Sequence, residues 1–237
     1  MIEILYFQQN NTFGLTERYL FDLARGIDHN RYHVHLMFPE VSELLPFKQL
    51  DSDGVCLHGL PAKLVAGNVV HLVPKLLNAF WHLKPDLIHF NDPAVAGMLA
   101  GRLYQHAVLA MTHHTPELNR QYNWRGQLFE KIALGGRPFV IFTSENDRLT
   151  GIERDNFRVE DSAVVPYGID VPSFEGDFDR QSICDEFGIS PAHSIVGNVA
   201  RLVPQKGHDY LIEAAGIISS KFEDVTFVVV GDGELRD

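Results

Sequence analysis

Apolar residues in the first 170 positions alternate between compact runs and stretches of helical period. Ile2 to Phe7 is a short β-rich run, and Gln8 to Gly14 is a polar loop. Leu15, Tyr19, Leu23 and Ile27 recur every fourth residue, with Leu20 and Ala24 beside them, which draws one apolar stripe along a helix. Tyr32 to Phe38 reads as a second strand, Ser42 to Leu50 as a short helix and Gly54 to Leu60 as a third strand. Val69, Leu72, Leu76, Leu77 and Phe80 predict a helix over Asn68 to Leu83, where Pro74 fits only near the first turn or at a kink. Further strands are predicted over Leu87 to Phe90, Ala107 to Thr112, Pro138 to Ser144 and Ser162 to Pro166. Helices over Pro93 to Gln105, Gln127 to Leu134 and Glu145 to Arg154 lie between them.

Strands that are near-continuous apolar runs, each followed by a helix, predict a parallel sheet covered on both faces with right-handed crossovers. The periodicity breaks over Asp170 to Asp177, where Pro, Gly and acids read as a linker. A helix is predicted over Asp179 to Phe187, and a second strand–helix–strand series runs from about His193 to Val230. A unit of about 45 residues is a poor independent core by surface-to-volume scaling. The expected organisation is therefore an α/β chain with three parts. Residues 1–170 form a Rossmann-like, doubly wound parallel sheet, 171–191 a linker, and 192–237 the incomplete beginning of a second Rossmann-like domain.

Composition narrows the function classes. The chain has 31 acidic and 20 basic residues, for a net charge of -11. That argues against nucleic acid as a partner, since such binding draws on neutralisation of the phosphate backbone. Cys56 and Cys184 form no CxxC pair and read as small apolar residues. The N-terminus has no basic region followed by an apolar one, and no run is long enough to span a bilayer. A reducing, cytoplasmic setting is expected, with peripheral contact at the inner membrane face left open.

In open α/β sheets, ligands sit beyond the carboxyl ends of the strands. That rule selects Gly14 to Arg18 after the first strand and Asn91 and Asp92 after the fourth. It then selects His113, His114 and Glu117 after the fifth, Ser144, Glu145 and Asn146 after the sixth, and Tyr167, Gly168 and Asp170 after the seventh. Gly14 either lets a phosphate or sugar approach the backbone or is a plain loop glycine before a helix. His113 or His114 has the chemistry to hydrogen-bond a hydroxyl or move a proton, with His113 slightly favoured; the other reads as a satisfied loop histidine. Asp92, His113, His114 and Glu117 are metal-capable but lack tight ligand spacing, so no metal is expected. Ser144 reads first as a helix N-cap.

The loop Gly197 to His208 carries Arg201 and Lys206 between an apolar run and a helical pattern that starts at Asp209. A strand, a glycine-punctuated loop and a helix start form the local design for an anion, with backbone N–H groups and the positive helix end facing it. Arg201 has a planar fork for two phosphate oxygens and Lys206 a flexible point charge. The alternative is an ordinary connection with two solvated cations.

The run Arg201-Leu202-Val203-Pro204-Gln205-Lys206-Gly207-His208, the helix and strand after it, and Gly231-Asp232-Gly233-Glu234-Leu235 resemble a known pattern. It is that of the donor-binding domain of the retaining glycosyltransferases of family 4, also called group 1 glycosyltransferases, which have the GT-B fold. Gly14-Leu15-Thr16-Glu17-Arg18 keeps the first glycine and the Glu-Arg of a second family motif, with Leu15 where another glycine usually stands. Pro166-Tyr167-Gly168-Ile169-Asp170 resembles the family's Pro-Asn-Gly-Val-Asp, and Ser144-Glu145 its Ser-Glu.

The resemblance implies transfer of a sugar from a nucleotide-sugar donor to a glycan, lipid-linked or small-molecule acceptor, with no cofactor. It implies Arg201 and Lys206, with Gly14, at the donor diphosphate, and His113 or His114 at the reacting sugar. Asp92, Glu117, Glu145, Gly231 and Gly233 are the remaining cleft candidates. The family also carries two donor-site glutamates in a later segment to which nothing here corresponds, so the chain as given is expected to be inactive. A non-catalytic glycan- or nucleotide-binding module and a GT-B sugar-nucleotide epimerase stay open as alternatives.

Overall fold

The computed structural model describes residues 1–62, 69–114, 135, 138–155, 157–169, 171 and 179–236. Glu117, Asp170, the helix expected over Gln127 to Leu134 and residues 172–178 of the expected linker lie outside these residues. The chain divides into two compact units, Met1–Ile169 and Asp170–Asp237.

The first unit carries β1 (Ile2–Phe7), α1 (Leu15–Gly26), β2 (Tyr32–Pro39), a run of tight turns over Ser42–Asp53 and β3 (Cys56–Leu60). α2 (Val69–Leu83), β4 (Leu87–Phe90), α3 (Val95–Tyr104), β5 (Val108–His113), β6 (Phe139–Phe142), α4 (Glu145–Asp155) and β7 (Ser162–Val164) follow. The seven strands pair in the order β3-β2-β1-β4-β5-β6-β7. Each neighbouring pair is parallel. This is the doubly wound sheet that the alternating pattern predicts.

Side-chain alternation divides the core between the two faces. Leu5 and Phe7 of β1 lie opposite Ile88 and Phe90 of β4, and pack with Leu72, Leu76 and Phe80 of α2 and Met98 and Tyr104 of α3. Ile4 and Tyr6 face the other way, toward Leu20, Phe21 and Ala24 of α1 and Leu44, Phe47 and Leu50 of the tight-turn run. Phe7, Phe47, Phe80 and Phe90 are fully buried, and each such side chain contributes roughly 1.5–3 kcal/mol. The helix expected over Ser42 to Leu50 forms as 3-10 turns instead, extended to Asp53, with Pro46 inside. Proline lacks the N–H that an α-helical ladder needs.

Strand order reverses between β1 and β4, whose connections run to opposite sides of the sheet. That is the topological switch point, and Gln8 and Asn91 leave the carboxyl ends of these two adjacent strands.

The second unit carries α5 (Arg180–Phe187), β8 (Ser194–Val199), α6 (His208–Ser219) and β9 (Val225–Val230). β8 and β9 pair in parallel, with Ser194 opposite Val225 and Val199 opposite Val230. Asp179 caps α5 by accepting from the Gln181 N–H at 2.9 Å.

Candidate functional site

At the carboxyl ends of β1, β4 and β5, five side chains form one hydrogen-bonded chain. The Asn91 amide nitrogen donates to Gln8 Oε1 at 2.8 Å and to the Thr16 carbonyl at 3.0 Å, which leaves Asn91 Oδ1 to accept. His114 Nε2–H donates to that oxygen at 3.0 Å. His114 Nδ1 is then an acceptor, and the Tyr167 hydroxyl donates to it at 2.6 Å. At the other end the Gln8 amide donates to Glu17 Oε1 at 2.7 Å. Every donor therefore points from Tyr167 toward Glu17. Gln8, Glu17, Asn91 and His114 are buried, and a buried polar group is tolerated only with its partners in place.

Tyr19 of α1 braces this chain. Its ring sits edge-on to His114 and Tyr167, at centroid distances of 5.2 and 5.4 Å. Burial drives the His114 pKa down to about 4, the Asn91 bond and the Glu17 charge opposing it. Burial also raises the Tyr167 hydroxyl to about 12. At neutral pH the imidazole is uncharged with one fixed tautomer, suited to positioning a neutral hydroxyl.

The two histidines differ in surroundings. The His113 ring packs against Phe142 and Phe157, at 5.4 and 5.9 Å, on the face that carries the Phe90 cluster. His114, one residue later, joins the polar chain. Gly14 precedes α1 and its N–H donates to Glu17 Oε2 at 2.9 Å; the same oxygen accepts from the Thr16 hydroxyl at 2.9 Å. The glycine N–H is thus spent within the β1–α1 connection rather than open to a ligand. Asp92 accepts from Asn10 Nδ2 at 2.6 Å. Glu145 lies exposed in the first turn of α4, paired with Arg148 at 2.9 Å. Ser144 Oγ accepts from the Asp147 N–H at 3.1 Å, the N-cap role expected of it.

The sequence marked Asn91, Tyr167 and the Gly14 to Arg18 stretch, with Thr16 and Glu17, as strand-end residues but passed over Gln8 and Tyr19. Gln8 directly follows β1, and that adjacency to the switch point is the signal that would have found it.

In the second unit, Arg201 and Lys206 bracket a tight turn over Pro204–Lys206 between β8 and α6, and both side chains are exposed. Gly207 takes the left-handed conformation at φ 65° and opens α6. Buried His208, the first residue of α6, donates from Nε2 to the Arg201 carbonyl at 2.9 Å. The Gly231-Asp232-Gly233 turn lies against the same loop. Leu202 N–H donates to the Asp232 carbonyl at 2.9 Å and Leu235 N–H to the Leu202 carbonyl at 3.0 Å. A Cβ at Gly231 would collide with the Ala200 carbonyl, and one at Gly233 with that of Leu202. Both glycines are therefore needed for backbone-to-backbone approach. Arg201, Lys206, Gly231 and Gly233 are brought together here, at the positive end of a 12-residue helix.

Residues 16–172 match the family model Glycosyltransferase Family 4, and residues 179–237 match Glycosyl transferases group 1. No curated protein matches the chain in sequence. Among solved structures, Anabaena HepE in complex with UDP and glucose superposes with a TM-score of 0.75 at 21% identity, covering 98% of this chain and 62% of that one. A glycosyltransferase from Rickettsia africae also gives 0.75, at 16% identity, covering 99% of this chain and 62% of that one. UDP-GlcNAc 2-epimerase from Neisseria meningitidis gives 0.62 at 10% identity, covering 96% and 64%. The chain thus spans less than two thirds of the length of these structures, and at such identities the likeness is one of fold. The family matches together cover nearly the whole sequence, and the chain belongs to glycosyltransferase family 4, with a group 1 glycosyltransferase segment in its second unit.

Proposed function

We propose that the protein transfers a sugar from a nucleoside diphosphate sugar to a hydroxyl acceptor with retention of configuration. The observation that carries this reading is the Arg201–Lys206 loop, pinned by His208 at the start of α6 and backed by the Gly231 and Gly233 turn. Arg201 and Lys206 hold the diphosphate and stabilise the charge that develops on it as the sugar departs, with the α6 N–H groups adding to that field. Anabaena HepE, of the same fold, was solved with UDP and glucose, which favours a uridine diphosphate sugar as the first donor to try.

The first unit takes the acceptor side. His114, neutral and held between Asn91 and Tyr167, orients the reacting sugar, with His113 as the neighbouring candidate. The acceptor class is a glycan, a lipid-linked sugar or a small molecule, and the pathway class is assembly of cell-envelope polysaccharide or glycolipid. The protein works in the cytoplasm, in peripheral contact with the inner membrane face where the acceptor is lipid-linked. No described helix is long and apolar enough to cross a membrane.

The likeness to 2-epimerases gives a second reading, isomerisation of the donor itself. Incubation with a panel of nucleotide-sugars, with and without acceptors, separates the two by mass spectrometry and NMR. A transferred sugar with retained anomeric configuration supports the proposal. Because the chain as given is expected to be inactive, the assay uses the protein together with the segment that carries the family's donor-site glutamates, and there an isomerised donor, or binding without turnover, contradicts the proposal.

A further inference from the structure

The opposite end of the first sheet carries a second polar cluster that the transfer chemistry does not use. β1 and β2 pair with Glu3 opposite His33 and Leu5 opposite His35. Side-chain alternation then puts Glu3, His33 and His35 on one face, at the amino ends of these strands. β3 adds Cys56 opposite His35, with His58 two residues on. Further along the same face, Leu5, Phe7, Met37 and Leu60 are core, so the cluster caps the apolar layer at the sheet's amino edge.

Glu3 Oε2 lies 2.8 Å from His33 Nδ1 and 3.1 Å from His35 Nε2, and the three ligand-capable atoms lie within 4.8 Å of one another. Tetrahedral Zn²⁺ with bonds of about 2.0–2.1 Å needs ligand atoms about 3.3 Å apart, against 2.8 and 3.1 Å from Glu3 and at most 4.8 Å between any two of the three here. We propose that Glu3, His33 and His35 form a binding site for a divalent transition metal of the Zn²⁺ class, distinct from the sugar-transfer site and clamping β1 to β2.

The surrounding groups fit that role. A metal on His35 Nε2 requires the ring proton on Nδ1, and His58 Nε2 stands 2.9 Å away to accept it. A metal on His33 Nδ1 leaves the proton on Nε2, which faces Cys56 Sγ at 3.4 Å. Partners of this kind fix the tautomer and ring orientation of a metal-bound histidine. His35 is 9% exposed while the Glu3 and His33 side chains are 31% and 40% exposed, which leaves an entry path and room for water as a fourth ligand. Two imidazoles and one carboxylate suit Zn²⁺ or Co²⁺ better than Mg²⁺ or Ca²⁺, which prefer oxygen throughout.

The test titrates the untagged protein with Co²⁺, followed by visible d–d absorption, with Zn²⁺ as competitor. One Co²⁺ per chain should bind with tetrahedral or five-coordinate bands and be displaced by Zn²⁺. Saturating Zn²⁺ at 100 times Kd should raise Tm by about 5–10 °C. Glu3→Gln and His33→Ala replace partly exposed side chains, and each should weaken binding at least tenfold and abolish the Tm rise. His82→Ala, at an exposed position on α2, should change neither. Binding equal to wild type in both Glu3→Gln and His33→Ala, or no Co²⁺ bound at tens of micromolar, would overturn the proposal.

Discussion

His208 and Arg201 are tied by one hydrogen bond, from the buried imidazole Nε2–H to the main-chain carbonyl at 2.9 Å. The bond fixes the backbone from which the Arg201 side chain departs and leaves the guanidinium outside. A histidine at the first position of α6 thus ties down the backbone of the loop. His208→Ala should leave the protein folded and weaken nucleoside diphosphate binding by about 3- to 10-fold, the equivalent of roughly 1 kcal/mol. Calorimetry with UDP checks this. Unchanged affinity would mean that the loop is held by other means.

Gly231 packs against the Ala200 carbonyl with no room for a Cβ. Gly231→Ala should destabilise by about 1–3 kcal/mol, because Ala200 must move to make room and carries Arg201 with it. Gly216 is the control: it lies inside α6, and a Cβ there meets nothing within 4 Å. Gly216→Ala should stabilise by roughly 0.5–1 kcal/mol through helix propensity. Thermal melts of both variants read the difference, and equal effects would contradict the packing account.

Tyr167→Phe removes the donor to His114 Nδ1 and leaves the ring packing in place. The expected cost is about 1–3 kcal/mol, the penalty for a buried acceptor without its partner. If His114 orients the reacting sugar, kcat falls in the same variant while the Kd for UDP does not move. A fall in UDP affinity with kcat preserved would assign the polar chain to the donor instead.

His89 and His114 predict an acid limit for the first unit. Burial, reinforced by the charge of His114, lowers His89 to about 4, and burial lowers His114 likewise. The unfolded chain takes up these protons near pH 6.5 and the folded chain only near pH 4, so stability is lost as pH falls through that window. At pH 5 the loss is about 2 kcal/mol per histidine relative to pH 8. His89→Gln, which cannot titrate but can still reach Thr112, should flatten the fall in Tm between pH 6.5 and 5. An unchanged pH profile would show that His89 does not contribute.

Much of this architecture was legible in the residues. The run Ile2 to Phe7 forms β1, because local period and burial agree there; Leu15, Tyr19 and Leu23 lie on α1, but the face that α1 buries is that of Leu20, Phe21 and Ala24, and Leu15 is exposed. The Arg201–Lys206 loop was legible as a strand–turn–helix connection because its three parts are contiguous in sequence. The polar chain was not, since Gln8, Asn91, His114 and Tyr167 meet only once β4 lies beside β1, and strand order is not written in period. Periodicity likewise could not separate His113 from His114, because that choice turns on which sheet face each ring joins. Glu3, His33 and His35 escaped for the same reason: two strands must pair in register before one carboxylate reaches both imidazoles.

The central claim is that Arg201 and Lys206 hold the donor diphosphate, and UDP calorimetry on the wild type and on the Arg201→Ala, Lys206→Ala double variant tests it most directly. Two charge-assisted contacts at roughly 1.5–3 kcal/mol each predict an affinity loss of about 10²–10⁴-fold, with the fold retained because both side chains are exposed. UDP binding as tight in the double variant as in the wild type would contradict the account.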